Sequence, residues 1–440
     1  MSTTNRTATG WAGHLAALVA LCLFATASPV LAQSADPPPD CGAPVKAIHI
    51  SPLKFTDTAL VLKALVSRIG KPHCGSNIHK DKERLDRLGY FSAAKLEEVP
   101  EGDGVVLKVT LVETAPYLPN VGISHTEENG FAAGPGLKAI DLAHTGITLS
   151  AGTRFGGWTQ FYTNFSNPSI PGGHWTYDVL FAYQDRDDTL NDFTRKSLNG
   201  AVLLGKTIGE THTLRGVFQF SSTKSNQDGI TLSDTNRDVI PYLGAEWIYD
   251  TRDLWSNPHT GWHNTVDVRR AFGDASFWRV QFDLRRYIPL ADRHTLALVS
   301  LTDYHTGEMG VDFPTYLQSY IGGTNSVRGW DLGSRSGQNE MLNTVEYRYT
   351  LMKRKLWKIW KVGGYIGLEL AAFTDFGIAW TDSNQFAANN FITGYGGGLR
   401  LLVPWVSEIR LDFAAGQPGG GVSFQFGFGP KAVAQKAAAR

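Results

Sequence analysis

From about residue 116 onward, apolar side chains recur at every second position of the chain. In the stretch from Trp278 to Leu284, Trp278, Val280, Phe282 and Leu284 fall on one face and Arg279, Gln281 and Asp283 on the other. Between Thr344 and Leu351, Val345, Tyr347, Tyr349 and Leu351 oppose Glu346 and Arg348. Near the end, Val422, Phe424, Phe426 and Phe428 oppose Ser423, Gln425 and Gly427. A period of two is that of an extended strand whose faces meet different surroundings. Sixteen such segments are predicted, starting near Asn120, Gly134, Ile147, Gly157, Trp175, Thr194, Thr211, Val239, Gly261, Ser276, His294, Glu340, Gly363, Ile392, Ser407 and Gly421. Ile208-Gly209-Glu210, Ala291-Asp292 and Pro404-Trp405-Val406 read as short turns. Asp185 to Phe193, Ser222 to Asp238 and Thr306 to Asn339 read as long polar loops. The short turns fall on even-numbered connections, as they do in a transmembrane barrel with both ends on one side. The expected fold is therefore an all-β transmembrane barrel of about 16 antiparallel strands over 116–429, its apolar face in lipid and its polar face in the lumen.

The preceding residues follow a different pattern. Arg6, an apolar run from Leu15 to Ala25 and the small-residue site Val30-Leu31-Ala32 predict a secretory signal peptide over 1–32. A proline-bearing linker is expected over 33–44. Residues 45–115 read as a small α+β domain: a strand from Val45 to Leu53, a helix from Thr56 or Asp57 to Ile69, a helix from Ile78 to Leu88, and a hairpin of Ala93 to Val99 and Val105 to Val112 about Gly102-Asp103-Gly104. Cys41 and Cys74 remain after cleavage, and an even pair in an exported chain predicts a disulfide, here tying the linker to the loop between the helices. A basic, Ala-rich tail is expected over 430–440.

Composition narrows the function. The 47 glycines and 11% aromatic content are spread over short segments, and after residue 32 no apolar run reaches the roughly 20 residues of a membrane helix. With 41 basic and 41 acidic residues, nothing points to nucleic acid as a partner. No G-x-S-x-G, H-E-x-x-H or paired C-x-x-C is present, so no enzyme, cofactor or metal is expected. The glycines from Gly394 to Gly398 sit in a strand without βαβ context and read as close packing or curvature. Lys353 to Lys361, with Trp357 and Trp360, reads as an interfacial anchor on a turn.

Several motifs in order resemble the Omp85 superfamily. Ile321 to Trp330, containing Val327-Arg328-Gly329-Trp330, is similar to its VRG[FY] loop. Asp250-Thr251-Arg252-Asp253 with Pro258 and Gly261 resembles a D-x-R-[ND]…P-x-x-G turn. Glu346 lies in a strand like the family's post-loop strand. Phe373 to Gly377 with Trp380 resembles F-x-D-x-G…W, and Gly396 to Arg400 resembles G-x-G-L-R. The resemblance implies that residues 45–115 form a POTRA-like domain facing the periplasm and that the barrel lies in the outer membrane. It also implies that Arg328 docks in the lumen on Asp375, with Glu346 as second acceptor and Gly329 beside it. Client outer-membrane or secreted proteins and outer-membrane lipid would be the partners. Unlike essential assembly subunits, or transporters with typically two such domains, this chain shows one. Assembly or insertion of outer-membrane proteins, secretion of a dedicated partner, and a passive porin or outer-membrane enzyme all stay open. Closing the barrel brings the segment at Asn120 to Thr126 against that at Gly421 to Phe428. Gly122, Gly421 and Gly427 predict a poorly paired lateral seam there, with Ile123 near Gln425.

Overall fold

The computed structural model describes residues 41–428 except 89, 114–115, 143–145, 168–174, 210, 255–256, 360–361 and 404–407. The expected signal peptide, residues 33–40 of the linker, the turn at Pro404-Trp405-Val406 and the tail at 430–440 lie outside the described residues.

The N-terminal domain runs β1 (Cys41–Ile50), α1 (Thr58–Ala64), β2 (Pro72–Cys74), α2 (Gly75–Leu88), β3 (Phe91–Glu101) and β4 (Gly104–Glu113). Its sheet has the order β2-β1-β4-β3, with β1 parallel to β4. Two expectations are corrected here. First, residues 41–44 of the expected linker are strand: Cys41 lies directly opposite Cys74 in the β1–β2 pair, and the two are joined by a disulfide. Cys74 therefore belongs to a short strand that alternation could not signal in three residues. The cross-link closes a loop with a sequence separation of 33, worth roughly 3–4 kcal/mol in the chain-entropy account. Second, α1 stops at Ala64 and not at Ile69. Asp57 caps its start, accepting from the amide of Ala59 at 2.8 Å. At its end Leu65 turns extended, and the next amides, Val66 and Ser67, donate to the buried carboxylate of Asp81 on α2. A charged acceptor from the neighbouring helix outcompetes the carbonyls that would have continued the turn.

Val61, Leu65, Leu85, Leu88, Tyr90, Val109 and Leu111 form the domain's core, and Ile140, from the turn after the second barrel strand, completes it. The Tyr90 hydroxyl donates to the carbonyl of Gly146 at 3.0 Å in the same turn. Burial, reinforced by Asp141, pushes the Tyr90 hydroxyl up to about 12, so it stays protonated as a donor. The domain is thus packed onto the base of the barrel through Ile140 and Gly146.

A pH-dependent element lies at the other side of this core. Glu113 accepts from the amides of Lys54 at 2.6 Å, Phe55 at 2.9 Å and Thr56 at 2.6 Å, holding the segment that leads into α1. Burial raises the carboxyl, but the three amide donors outweigh it and the net shift is below the ordinary 4.5. A lowered carboxylate contributes stability that is complete above its unfolded value and lost as pH falls through the folded one. Hydrogen exchange at amides 54–56 should accelerate as pH falls below about 4.5, relative to intrinsic rates, and Glu113→Gln should flatten that dependence while weakening protection at neutral pH by about 1–2 kcal/mol. An unchanged pH profile in Glu113→Gln would reject the assignment.

The barrel comprises β5 (Tyr117–Thr126), β6 (Gly130–Ala139), β7 (Thr148–Gly156), β8 (Thr159–Asn167), β9 (Thr176–Asp188), β10 (Phe193–Ile208), β11 (His212–Ser225), β12 (Arg237–Asp250), β13 (Gly261–Ala271), β14 (Trp278–Ala291), β15 (His294–His305), β18 (Asn339–Ile359), β19 (Val362–Trp380), β20 (Ile392–Leu402), β21 (Ile409–Ala415) and β22 (Ser423–Phe428). A small hairpin, β16 (Ser319–Ile321) with β17 (Arg335–Gly337), lies within the loop between β15 and β18. The sixteen barrel strands form one antiparallel sheet in sequential order. Burial is inverted relative to a water-soluble protein: on β14, Trp278 and Phe282 are exposed while Arg279, Gln281 and Asp283 are buried. Backbone groups pair along the strand ladders, apolar side chains point outward and charges pair in the lumen.

The expected contrast of loop lengths is corrected. The loop read over Asp185 to Phe193 shrinks to 189–192 and that over Ser222 to Asp238 to 226–236, because β9 to β12 continue as paired strands beyond the apolar band. Their polar residues read as loop because no lipid-facing alternation marks a strand outside the membrane. Likewise 353–359 is strand and not turn, since β18 and β19 pair to Ile359 and Val362.

Candidate functional site

The lumen is occupied by residues 306–338, the segment between β15 and β18. It is seated on both sides. Arg195 on β10 donates to the carbonyl of Tyr316 at 2.8 Å, and Thr324 donates through its amide at 3.0 Å and its hydroxyl at 2.6 Å to Glu127. Against the opposite wall Ile321 and Val327 bury into an apolar lumen patch of Leu301, Leu342, Ala379 and Ile392. Here the lumen face departs from simple polarity, because the docked loop and not water covers it.

Arg328, fully buried, is the centre of this docking. Its Nε and Nη2 donate to the two oxygens of Asp375 at 2.7 and 3.0 Å, and its backbone amide adds a third bond at 3.2 Å. Nη1 reaches Asp412 at 3.1 Å and Glu346 at 3.4 Å. The planar guanidinium lies over the Phe373 ring, its Cζ 3.2 Å from the centroid. Only an arginine can use both edges of its fork and its face at once. The F-x-D-x-G sequence thereby acquires a physical meaning. Phe373, Asp375 and Gly377 share the lumen face of β19; they supply the platform, the carboxylate, and the space into which Val327 packs, since a Cβ on Gly377 would come within 3.0 Å of Val327 Cγ2.

Two further glycines let the loop backbone approach. Gly329 has φ +84, and a Cβ there would meet the Ala415 backbone at 2.5 Å. A Cβ on Gly394 would stand 1.7 Å from the Arg328 carbonyl oxygen. The expected close packing at Gly394 is against the loop itself.

Around this centre the charges interlock. Arg400 bonds Asp412 at 2.5 Å and Glu346 at 2.8 Å, Arg348 bonds the other Glu346 oxygen at 2.8 Å, and Arg410 donates to Asn325 at 2.9 Å. Of this constellation the sequence expectation named Arg328, Gly329, Glu346 and Asp375, which the fold brings together. Asp412, Arg400, Arg348, Phe373 and Gly394 were not assigned to it. Asp412 and Arg410 were accessible in principle: Ile409 to Ala415 alternates, and that parity puts both in the lumen.

The expected seam residues distribute differently. Gly122 lies in β5 opposite Gly134. Gly421 precedes β22 and has open space about it, and Gly427 gives room to Arg410, whose Nη2 would be 2.6 Å from a Cβ. The two strands at this edge differ in length, β22 having six residues and β5 ten. Phe426 packs across the junction on His125 and Phe131, with ring centroids 6.5 and 6.3 Å apart. Among the described residues no strand pairing joins β22 to β5, whereas every other neighbouring pair is laddered. The expected juxtaposition of Ile123 with Gln425 is corrected: Ile123 faces outward and Gln425 is buried in the lumen.

Residues 145–431 match the Omp85 superfamily domain. The chain is 24% identical over 386 residues to the outer membrane protein assembly factor BamA of Nitratidesulfovibrio vulgaris, covering 82% of this chain and 46% of that protein. It is 20% identical over 440 residues to BamA of Neisseria meningitidis serogroup B, covering 88% and 53%. It thus spans about half the length of the curated relatives it matches. Among solved structures it resembles BamA from Haemophilus ducreyi lacking POTRA domains 1–3, with TM-score 0.58, 15% identity and coverage of 88% of this chain and 84% of that one. CdiB from Acinetobacter baumannii aligns with TM-score 0.56, 15% identity and coverage of 88% and 73%. With a sixteen-stranded barrel, a POTRA-like domain at its base and a docked arginine loop in its lumen, this outer-membrane chain belongs to the Omp85 superfamily.

Proposed function

We propose that this protein inserts client proteins into the bacterial outer membrane by opening sideways at the junction of β22 and β5. The observation that supports this most is the missing ladder there among the described residues, whose other neighbouring strands are all laddered. Separating two strands costs most where hydrogen bonds must be given up, so this junction is the cheapest place to part. An edge exposed there offers unpaired backbone groups on which a client strand can form. The POTRA-like domain, packed on the barrel base through Ile140 and Tyr90, would deliver clients to the same region. The loop held by Arg328 would keep the lumen closed while the wall opens.

The test is a cysteine pair at His125 and Phe426, the side chains that meet across the junction. Oxidation should abolish insertion of outer-membrane proteins and reduction should restore it. Full insertion with a completely cross-linked junction would remove lateral opening from the mechanism. Loss of a single secreted protein with an unchanged outer-membrane proteome would favour secretion of a dedicated partner.

A further inference from the structure

The connection between β12 and β13 lies at the opposite end of the strands from the 306–338 loop, yet its Asn257 reaches the same charge cluster. Asn257 is buried and uses both ends of its amide. The oxygen accepts from Arg348 Nη1 at 3.0 Å, and the nitrogen donates to Glu369 Oε1 at 2.9 Å. Arg348 in turn donates through Nε to Glu346 Oε1 at 2.8 Å, while the other oxygen of Glu346 faces Arg328 at 3.4 Å. Glu369 also accepts from Thr350 at 3.2 Å, and His259 of the same turn stands 3.6 Å from it. A continuous buried chain of polar contacts therefore runs from Arg328 through Glu346 and Arg348 to Asn257.

The turn is built to hold Asn257 in place. Asp253 accepts from the amides of His259 at 2.9 Å and Thr260 at 3.2 Å, and Asp250 grips Arg252 through two bonds of 2.9 and 2.6 Å. Gly261, at φ +106, closes the turn where a Cβ would meet the Thr251 carbonyl at 2.2 Å. The D-x-R-D…P-x-x-G residues thus tie together the described parts of the turn on either side of Asn257. Such networks are sensitive to partial loss, because each buried charge relies on the next for compensation.

We propose that Asn257 is a positioning residue that ties the periplasmic turn to the Arg328 anchor, so that displacing the turn loosens the loop on the opposite face of the barrel. This rests on reading the Arg328 contact as the loop's lock. A client segment or the POTRA-like domain pressing on the turn would then reach the loop without touching it.

The experiment uses the full chain in intact cells with Val327→Cys, a buried loop position without polar contacts of its own, labelled by a membrane-impermeant maleimide from outside. Barrel closure is checked by heat-modifiable gel mobility. Asn257→Leu, which removes both bonds, is expected to raise the labelling rate about tenfold or more. Asn257→Asp keeps the acceptor for Arg348 but sets a carboxylate against Glu369, and should raise the rate as well. Arg328→Ala in the same background is the reference for a released loop. If it raises labelling while both Asn257 variants label at the parental rate, the coupling is refuted and the lock stands. If Arg328→Ala itself leaves labelling unchanged, the lock reading fails and the coupling with it. A variant that loses heat-modifiable mobility is replaced by Asn257→Gln, in which a longer amide displaces the turn without removing the groups; unchanged labelling there also refutes the coupling.

Discussion

Arg328→Ala is expected to release the 306–338 loop from the lumen wall while the barrel stays folded. Four side-chain bonds from Arg328 to three carboxylates disappear at once. The backbone amide remains, but without the side chain nothing holds it at Asp375. The wall is left with Asp375, Asp412 and Glu346 facing each other without the loop's cation, while Arg400 still pairs with Glu346 and Asp412 and Arg348 with Glu346. Removing one partner of a buried ion pair costs about 3–5 kcal/mol, chiefly as uncompensated charge left behind. At 1.4 kcal/mol per decade, the docked loop should lose roughly a hundred- to several-thousand-fold in population relative to the open one. Part of that is retained through Ile321 and Val327, which stay apolar and keep their patch. The barrel depends on its strand ladders and not on this contact, so heat-modifiable mobility should persist. Arg328→Lys keeps the charge but cannot span Asp375 and Asp412 together, and should fall between the two. Protease sensitivity of the loop and the rate of client insertion measure the effect. Parental behaviour of Arg328→Ala in both would show that the loop is held by something else.

Gly394→Ala should give the same phenotype with every charge in place. The added methyl would stand 1.7 Å from the Arg328 carbonyl oxygen, far inside van der Waals contact, and the obstacle is backbone that cannot rotate away. Either β20 or the loop must move by more than an ångström, which breaks the 2.7 Å bond between Arg328 and Asp375. Overpacking of a well-filled interior typically costs about 1–3 kcal/mol, and here the cost falls on docking. The expected result is a loop cleaved about ten- to a hundredfold faster at unchanged barrel mobility. Gly397→Ala is the control, because a Cβ there finds the Ala371 carbonyl at 3.2 Å and nothing from the loop. A protected loop in Gly394→Ala would mean that the loop backbone does not sit against this strand.

The readability of this chain follows from where side chains meet different surroundings. Alternation marked the barrel strands because lipid and lumen differ across a single wall. Its edges blurred at β6, where Gly and Ala residues carry little contrast, and at β9 to β12, where strands leave the lipid and lose it. The end of α1 escaped for a different reason: its stop is a carboxylate on Asp81, about fifteen residues away and on another helix. At the site, parity put Glu346 and Asp375 in the lumen, and the motif resemblance singled out Arg328. Asp412 bears the same parity but lies 84 residues from Arg328, and no local rule says which of many lumen carboxylates a loop will find.

Strand number, the lipid-facing set and the chemistry available in the lumen were all present in the order of residues, because each depends on a chain's neighbours two positions away. Which charges meet, how Gly394 cradles the loop, where β22 stops short of β5, and how Asn257 reaches Glu369 were settled by closure of the sheet. Closure fixes the stagger of every strand at once and brings together groups as far apart as Asn257 and Glu369, separated by 112 residues. Such contacts depend on the shape of the whole barrel, and no stretch of sequence carries that shape alone.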